Sequence, residues 1–147
     1  MAVTFMHVGI TVSDMDKMVD FYSKYFGMVK EREITFGADF ISDSPLLYRQ
    51  EEGVYSDMAM VELKAEPGVT LELFRFSNVE AGGTSEWHKT GYHHIAFQMD
   101  NMLEICEQLK ADGIELFFEP KERGPKGSGV HWVFFKDPDG NMIELWD

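Results

Sequence analysis

The 147-residue chain is predicted to be an α+β protein in which one β-α-β-β-β unit is used twice. Three observations predict it. The first is a repeated opening, His7-Val8-Gly9-Ile10-Thr11-Val12 and His94-Ile95-Ala96-Phe97-Gln98-Met99, in which apolar residues alternate with small or polar ones at the two-residue period of a strand. The second is a helical apolar period after each opening, and the third is a glycine that ends each period, 20 positions after His7 and 19 after His94.

Each element has its own signal. The first helical stripe is Met15, Met18, Val19, Tyr22 and Phe26; Ser13 is placed to cap it, with Asp16 as the fourth-position acid, and Gly27 suits the left-handed residue after a helix. The second stripe is Met102, Ile105, Cys106 and Leu109, entered through Asn101 and Glu104 and ended by Gly113; on that stripe Cys106 reads as a core residue rather than a nucleophile. Further strands are expected at 28–34, 58–63 and 69–76 in the first copy, and at 114–118, 130–135 and 142–146 in the second. The organisation that follows is a single domain over 1–147, with module one at 1–76, a Gly/Ser-rich linker at 77–91 and module two at 92–147. Copy one is longer, 45 positions from Gly27 to Glu72 against 31 from Gly113 to Glu144. The surplus, within 36–57, mixes turn-formers with Phe40, Leu46, Leu47 and Tyr48, and reads as a loop packed over a pocket.

Composition narrows the function. With 13 basic against 26 acidic side chains the net charge is −13, which argues against nucleic acid and anionic membrane as partners, because both require a basic footprint. An apolar content of 44% supplies a core, and no apolar run is long enough for a membrane span. One cysteine forms no internal disulfide, and the opening residues lack the pattern of a signal peptide, so a cytoplasmic protein is expected.

Strand alternation then selects four residues. His7, Gly9 and Thr11 should face away from Met6, Val8, Ile10 and Val12, and His94, Ala96 and Gln98 away from His93, Ile95, Phe97 and Met99. Late in each copy an acid interrupts an apolar strand, Leu71-Glu72-Leu73 and Ile143-Glu144-Leu145. A single glutamate there is ordinarily a solvent-facing strand residue. One His and one Glu at equivalent places of both copies instead suggest a mixed nitrogen and oxygen site for a divalent first-row metal, open enough for Lewis-acid chemistry and carrying a carboxylate fit to act as a base.

These residues, with Tyr92-His93-His94-Ile95-Ala96-Phe97 and Lys136-Asp137-Pro138-Asp139-Gly140-Asn141-Met142-Ile143-Glu144-Leu145, resemble the vicinal oxygen chelate superfamily, which includes glyoxalase I, extradiol dioxygenases and bleomycin-binding proteins. The resemblance spans nearly the whole chain. It implies an eight-stranded, cup-shaped mixed sheet around one divalent metal ion (Ni, Zn, Co, Mn or Fe) held by His7, Glu72, His94 and Glu144, a small-molecule substrate and a homodimer. The ligand set is most similar to that of bacterial glyoxalase I, a lactoylglutathione lyase, which implies proton transfer with Glu144 as catalytic base and Glu72 as its partner. Thr11 stands where glyoxalases usually carry an arginine for glutathione, and Phe76 where they carry an asparagine, so glutathione dependence is not implied; Arg75, Lys126 and Arg123 are the cations that could bind an anion in another way. Thr11, Phe74, Phe76, His131 and Trp132 are the substrate-binding candidates, with Met60 and Trp146 adding to the apolar lining. The alternatives are an extradiol Fe(II) dioxygenase with His131 as acid, an epimerase, and a metal-free drug-binding protein of the bleomycin type.

Overall fold

A computed structural model of the chain describes residues 2–43, 57–80, 82 and 87–147. It divides into two compact units, Met1–Ala81 and Gly82–Asp147. In the first unit the order is β1 (Val8–Thr11), α1 (Met15–Phe26), β2 (Val29–Gly37), a short α2 (Ala38–Ser42), β3 (Asp57–Ala65) and β4 (Val69–Phe76). The second runs β5 (His94–Gln98), α3 (Met102–Ala111), β6 (Lys121–Glu122), β7 (His131–Lys136) and β8 (Met142–Trp146). The two sheets have equivalent orders, β1-β4-β3-β2 and β5-β8-β7-β6. In each the first strand lies parallel to the last and the remaining pairs are antiparallel, so each is a four-stranded mixed sheet of the expected β-α-β-β-β kind.

In the first unit α1 buries Met18, Phe21, Tyr22, Tyr25 and Phe26, and the sheet contributes Val61, Leu63, Leu71 and Leu73. Phe21 and Tyr25 fall outside the stripe drawn from the sequence. They belong to it because the aromatic rings pack edge to face, Phe21 5.3 Å from Tyr22 and 5.1 Å from Tyr25, and so widen the apolar face. The cap also moves by one residue: Asp14, not Ser13, is the N-cap, its Oδ1 accepting from Lys17 N at 3.1 Å. Gly27 ends α1 with φ 61°, the left-handed turn expected of it. In the second unit Met102, Ile105, Cys106 and Leu109 bury one face of α3, and Val133, Phe135, Ile143 and Leu145 come from the sheet. Burial pushes the Cys106 thiol up to about 11, in keeping with a core residue.

Several sequence expectations are corrected here. Met6 is exposed and lies ahead of β1, which begins at Val8, so it does not extend the apolar face. The strand expected at 114–118 is reduced to a single bridge, Leu116 to Phe135; the fourth strand is instead Lys121–Glu122. Of the expected pocket loop, Phe40 stacks on Phe36 at 4.3 Å between ring centroids, while Leu46, Leu47 and Tyr48 lie outside the described residues. No helix among the described residues is long and apolar enough to cross a membrane.

Candidate metal centre: two matching His–Glu pairs

Each unit places its histidine and glutamate by the same register. In the first, Val8 pairs with Leu71 and Gly9 with Glu72, which sets His7 diagonally across the parallel strands from Glu72. In the second, His94 pairs with Met142 and Ala96 with Glu144, giving the same diagonal. The residue directly opposite each glutamate is small, Gly9 or Ala96, and leaves room for the imidazole to lean over it. At Gly9 the space is limited, since a Cβ would lie 3.3 Å from Phe74 Cε2.

The distances repeat as well. His7 Nε2 is 3.3 Å from Glu72 Oε2, and His94 Nε2 is 3.3 Å from Glu144 Oε2. Two ligand atoms bound at about 2.0–2.2 Å to one cation, at angles between octahedral and tetrahedral, lie about 2.8–3.6 Å apart. Each pair therefore has the spacing of two neighbouring ligands on a cation. By contrast, His131 Nδ1 and Asp147 Oδ2 approach to 2.7 Å, the distance of a hydrogen bond. The structure brings together His7 with Glu72 and His94 with Glu144, and no group of three or more metal-ligating side chains is found among the described residues.

Around the second pair, His93 and His94 share a hydrogen bond between their Nδ1 atoms at 2.7 Å, which directs His94 Nε2 towards Glu144. His93 thus supports His94 rather than joining the apolar face expected from alternation. Trp87 flanks both imidazoles, 4.3 Å from the His93 ring and 5.5 Å from that of His94, and Phe134 meets His94 edge-on at 5.3 Å. Glu144 is buried, with Arg123 Nη1 3.7 Å from its Oε1. The turn that delivers Glu144 is held by Asp137: Oδ1 accepts from the backbone N–H of Asp139 and Asn141 at 3.0 and 2.8 Å, and Oδ2 from Asn141 Nδ2 at 2.9 Å. Gly140 completes that turn with φ 86°. This is the physical role of the Asp-Pro-Asp-Gly sequence.

The first pair has a different setting. Glu62 lies directly across from Glu72 in β3, and the cations Arg32 and Lys64 attach to Glu62, at 3.0 and 3.4 Å. Phe74 and Phe76 are half-buried on the same strand face as Glu72, beside buried Met60, while Thr11 ends β1 exposed. Arg75 turns back to donate to the Phe76 carbonyl at 2.7 Å. In the second unit Trp132 shares the strand face of Glu144, but His131, one residue earlier in β7, is held by Asp147 through both its backbone N–H and Nδ1. Hydrogen bonds from His131 keep the Asp147 carboxyl below its ordinary range. Trp87 carries no signal in any local period, His93 is expected on the apolar face, and Arg123 is offered by the sequence only as one of three cations, with Arg75 and Lys126, that could bind an anion.

Comparison with known proteins places the chain in a family. Residues 4–145 match the family model of the Glyoxalase/Bleomycin resistance protein/Dioxygenase superfamily. The chain is 33% identical over 141 residues to a probable lactoylglutathione lyase of Vibrio cholerae, covering 95% of this chain and 87% of that protein. It is 30% identical over 146 residues to the lactoylglutathione lyase of Escherichia coli O157:H7, covering 95% and 89%. A crystal structure of a glyoxalase family protein from Bacillus cereus shares the fold with a TM-score of 0.80 at 18% identity, covering 99% of this chain and 94% of that one. With a family model matched over nearly its whole length and relatives at this identity, the chain belongs to the glyoxalase/bleomycin resistance protein/dioxygenase superfamily.

Proposed function

We propose that the protein is a metal-dependent lyase or isomerase of the glyoxalase I type, acting on a small substrate that offers two neighbouring oxygens. The observation that carries this reading is the duplicated His–Glu pair, the same register and the same 3.3 Å spacing in both units. Two such pairs, from one chain or from two copies of it, supply His7, Glu72, His94 and Glu144 to one divalent cation; Ni, Zn, Co, Mn and Fe all suit this nitrogen and oxygen donor set. When bound, the cation polarises the substrate oxygens and so acidifies the hydrogen on the adjoining carbon.

The side chains supply the rest of the chemistry. The Glu144 carboxylate accepts the proton from one substrate carbon and returns it to the neighbouring carbon, so that the base is regenerated. Glu72 is its counterpart on the opposite side. His93 keeps His94 aimed, and Asp137 keeps β8 in register beneath Glu144. Phe74, Phe76, Trp132 and Trp146 supply apolar surface for the body of the substrate, with Thr11 at the rim. The relatives named lactoylglutathione lyase support the reaction type, while Thr11 and Phe76 favour a substrate other than the glutathione adduct.

The test is turnover of the metal-loaded protein on the methylglyoxal–glutathione adduct and on the phenylglyoxal adduct of a small neutral thiol. The reading predicts isomerisation of the second, abolished in Glu144→Gln, and a kcat/KM for the first below about 10⁴ M⁻¹ s⁻¹, the lower end of ordinary enzymes. Turnover undiminished in Glu144→Gln overturns the assignment of the base, and efficient turnover of the glutathione adduct overturns the substrate preference.

A further inference from the structure

We propose that Arg123 is the carboxylate-recognition residue of the second unit, and that the substrate is an acid whose carboxylate lies close to its reacting carbons. The inference rests on the reading of Glu144 as part of the reaction site. The Arg123 guanidinium lies over two indoles, its Cζ 4.8 Å from the ring centroids of both Trp132 and Trp146, which are themselves 6.4 Å apart. Both are cation–π contacts, and they hold the guanidinium against the indole pair.

Among the described residues the guanidinium has one ion-pair partner. Nη1 approaches Glu144 Oε1 at 3.7 Å, an ion-pair distance too long for a hydrogen bond, and the side chain is 52% exposed. A guanidinium carries five N–H donors in a fixed fork that matches a carboxylate. The backbone of Arg123 is well anchored, its N–H donating to Val130 O at 2.8 Å and its carbonyl accepting from Ser128 Oγ at 2.9 Å. The backbone is thus anchored, and no hydrogen bond from the guanidinium is found among the described residues.

Position decides the ligand class. A single carboxylate, that of Glu144, separates Arg123 from His94, because Oε1 faces the arginine and Oε2 the imidazole. An anion on Arg123 therefore sits beside Glu144, with His94 across that carboxylate, whereas a tripeptide thiol carries its carboxylates many bonds from the reacting carbon. A cleft of about 320 Å³, lined by Ala96, Gln98, Val130 and Trp146 among others, adjoins the same strands and has room for a ring-sized apolar group. Asp147 also borders this cleft, but both its carboxylate oxygens are engaged by His131. Lys121, 4.2 Å above the Phe118 ring and 5.3 Å from that of Trp132, adds a second cation on this side. Two cations are thus mounted on the aromatic layer beside Glu144 in a chain of net charge −13, and they are the groups on this side that an anion can meet.

The experiment compares benzoate with benzamide, which share a shape and differ in charge, by tryptophan fluorescence and calorimetry on the full chain, with and without added divalent metal. Benzoate is expected to bind at least tenfold more tightly than benzamide in both states. Arg123→Met should erase that preference, Arg123→Lys should retain part of it, and Glu144→Gln, by removing the competing carboxylate, should strengthen benzoate binding. Equal binding of the two probes by the parent protein, or a preference unchanged in Arg123→Met, overturns the proposal; the parent-protein comparison decides it without reliance on any variant. Metal titration of the same samples keeps the two readings apart: a parent protein that prefers benzoate but binds no metal contradicts the lyase reading alone, and one that binds metal without preferring benzoate contradicts only the role of Arg123.

Discussion

The two His–Glu pairs share a register and a 3.3 Å spacing but not an environment. His7 and Glu72 have side chains 45% and 17% exposed; His94 and Glu144 are at 23% and 7%. Next to Glu72 the cations Arg32 and Lys64 pair with Glu62, whereas Arg123 faces Glu144 itself, and Trp87 and Phe134 flank His94. Duplication preserved what ligand geometry needs, namely a parallel strand pair, a small residue between and a diagonal offset. The residues that control solvent and charge diverged. A base working in a water-poor setting is better placed in the second unit than in the first, and this asymmetry supports the proposal, first implied by the family resemblance, that Glu144 moves the proton and Glu72 assists it.

The largest expected effect breaks that asymmetry. Glu144→Gln should lower turnover by about 10²–10⁴, the usual contribution of a general base, and Glu72→Gln by clearly less. Equal losses in the two variants would show that the pairs are functionally equivalent despite their surroundings. Next in size is the turn that carries Glu144. Asp137→Ala removes an acceptor of three hydrogen bonds from a buried position and should cost about 2–4 kcal/mol in denaturant unfolding. A loss under about 0.5 kcal/mol would mean that the turn holds its shape without it.

Association is the third test. A four-stranded sheet with open edges and an incomplete ligand set gains from pairing with a second copy, and a homodimer is expected by light scattering at micromolar protein. A monomer that still binds metal would place both half-sites within one chain.

The smallest effect is at the chain's last pair. His131 lowers the Asp147 carboxyl, so this pair adds stability above the ordinary carboxylate pKa of about 4 and loses it as pH falls towards the lowered value. Asp147→Asn should therefore flatten the acid limb of stability below about pH 5 and leave the difference between the units unchanged.

The legible part of this molecule was the part governed by short periods. The strands at 69–76 and 142–146 were read with their observed ends, and the four candidate ligands came from alternation plus duplication. Lys121–Glu122 is too short a strand to show alternation and is embedded in a polar stretch rich in glycine, so its pairing with β7 left no signal. The stretch 114–118 had the signal, yet only Leu116 bridges to Phe135. Ser13 and Asp14 are both capable caps, and local sequence does not choose between them; the chain path does. Arg123 is 21 positions from Glu144, and only the hairpin of β6 with β7 brings it there.

The most direct test of the central claim is metal stoichiometry by calorimetry and elemental analysis, on the parent protein and on His7→Ala and His94→Ala. If the two pairs together form one site, the parent binds one divalent cation per two half-sites, its melting temperature rises with metal, and either single substitution weakens binding by at least tenfold. If His7→Ala binds metal as tightly as the parent, the first pair is not part of the centre and the account of a duplicated ligand set is contradicted.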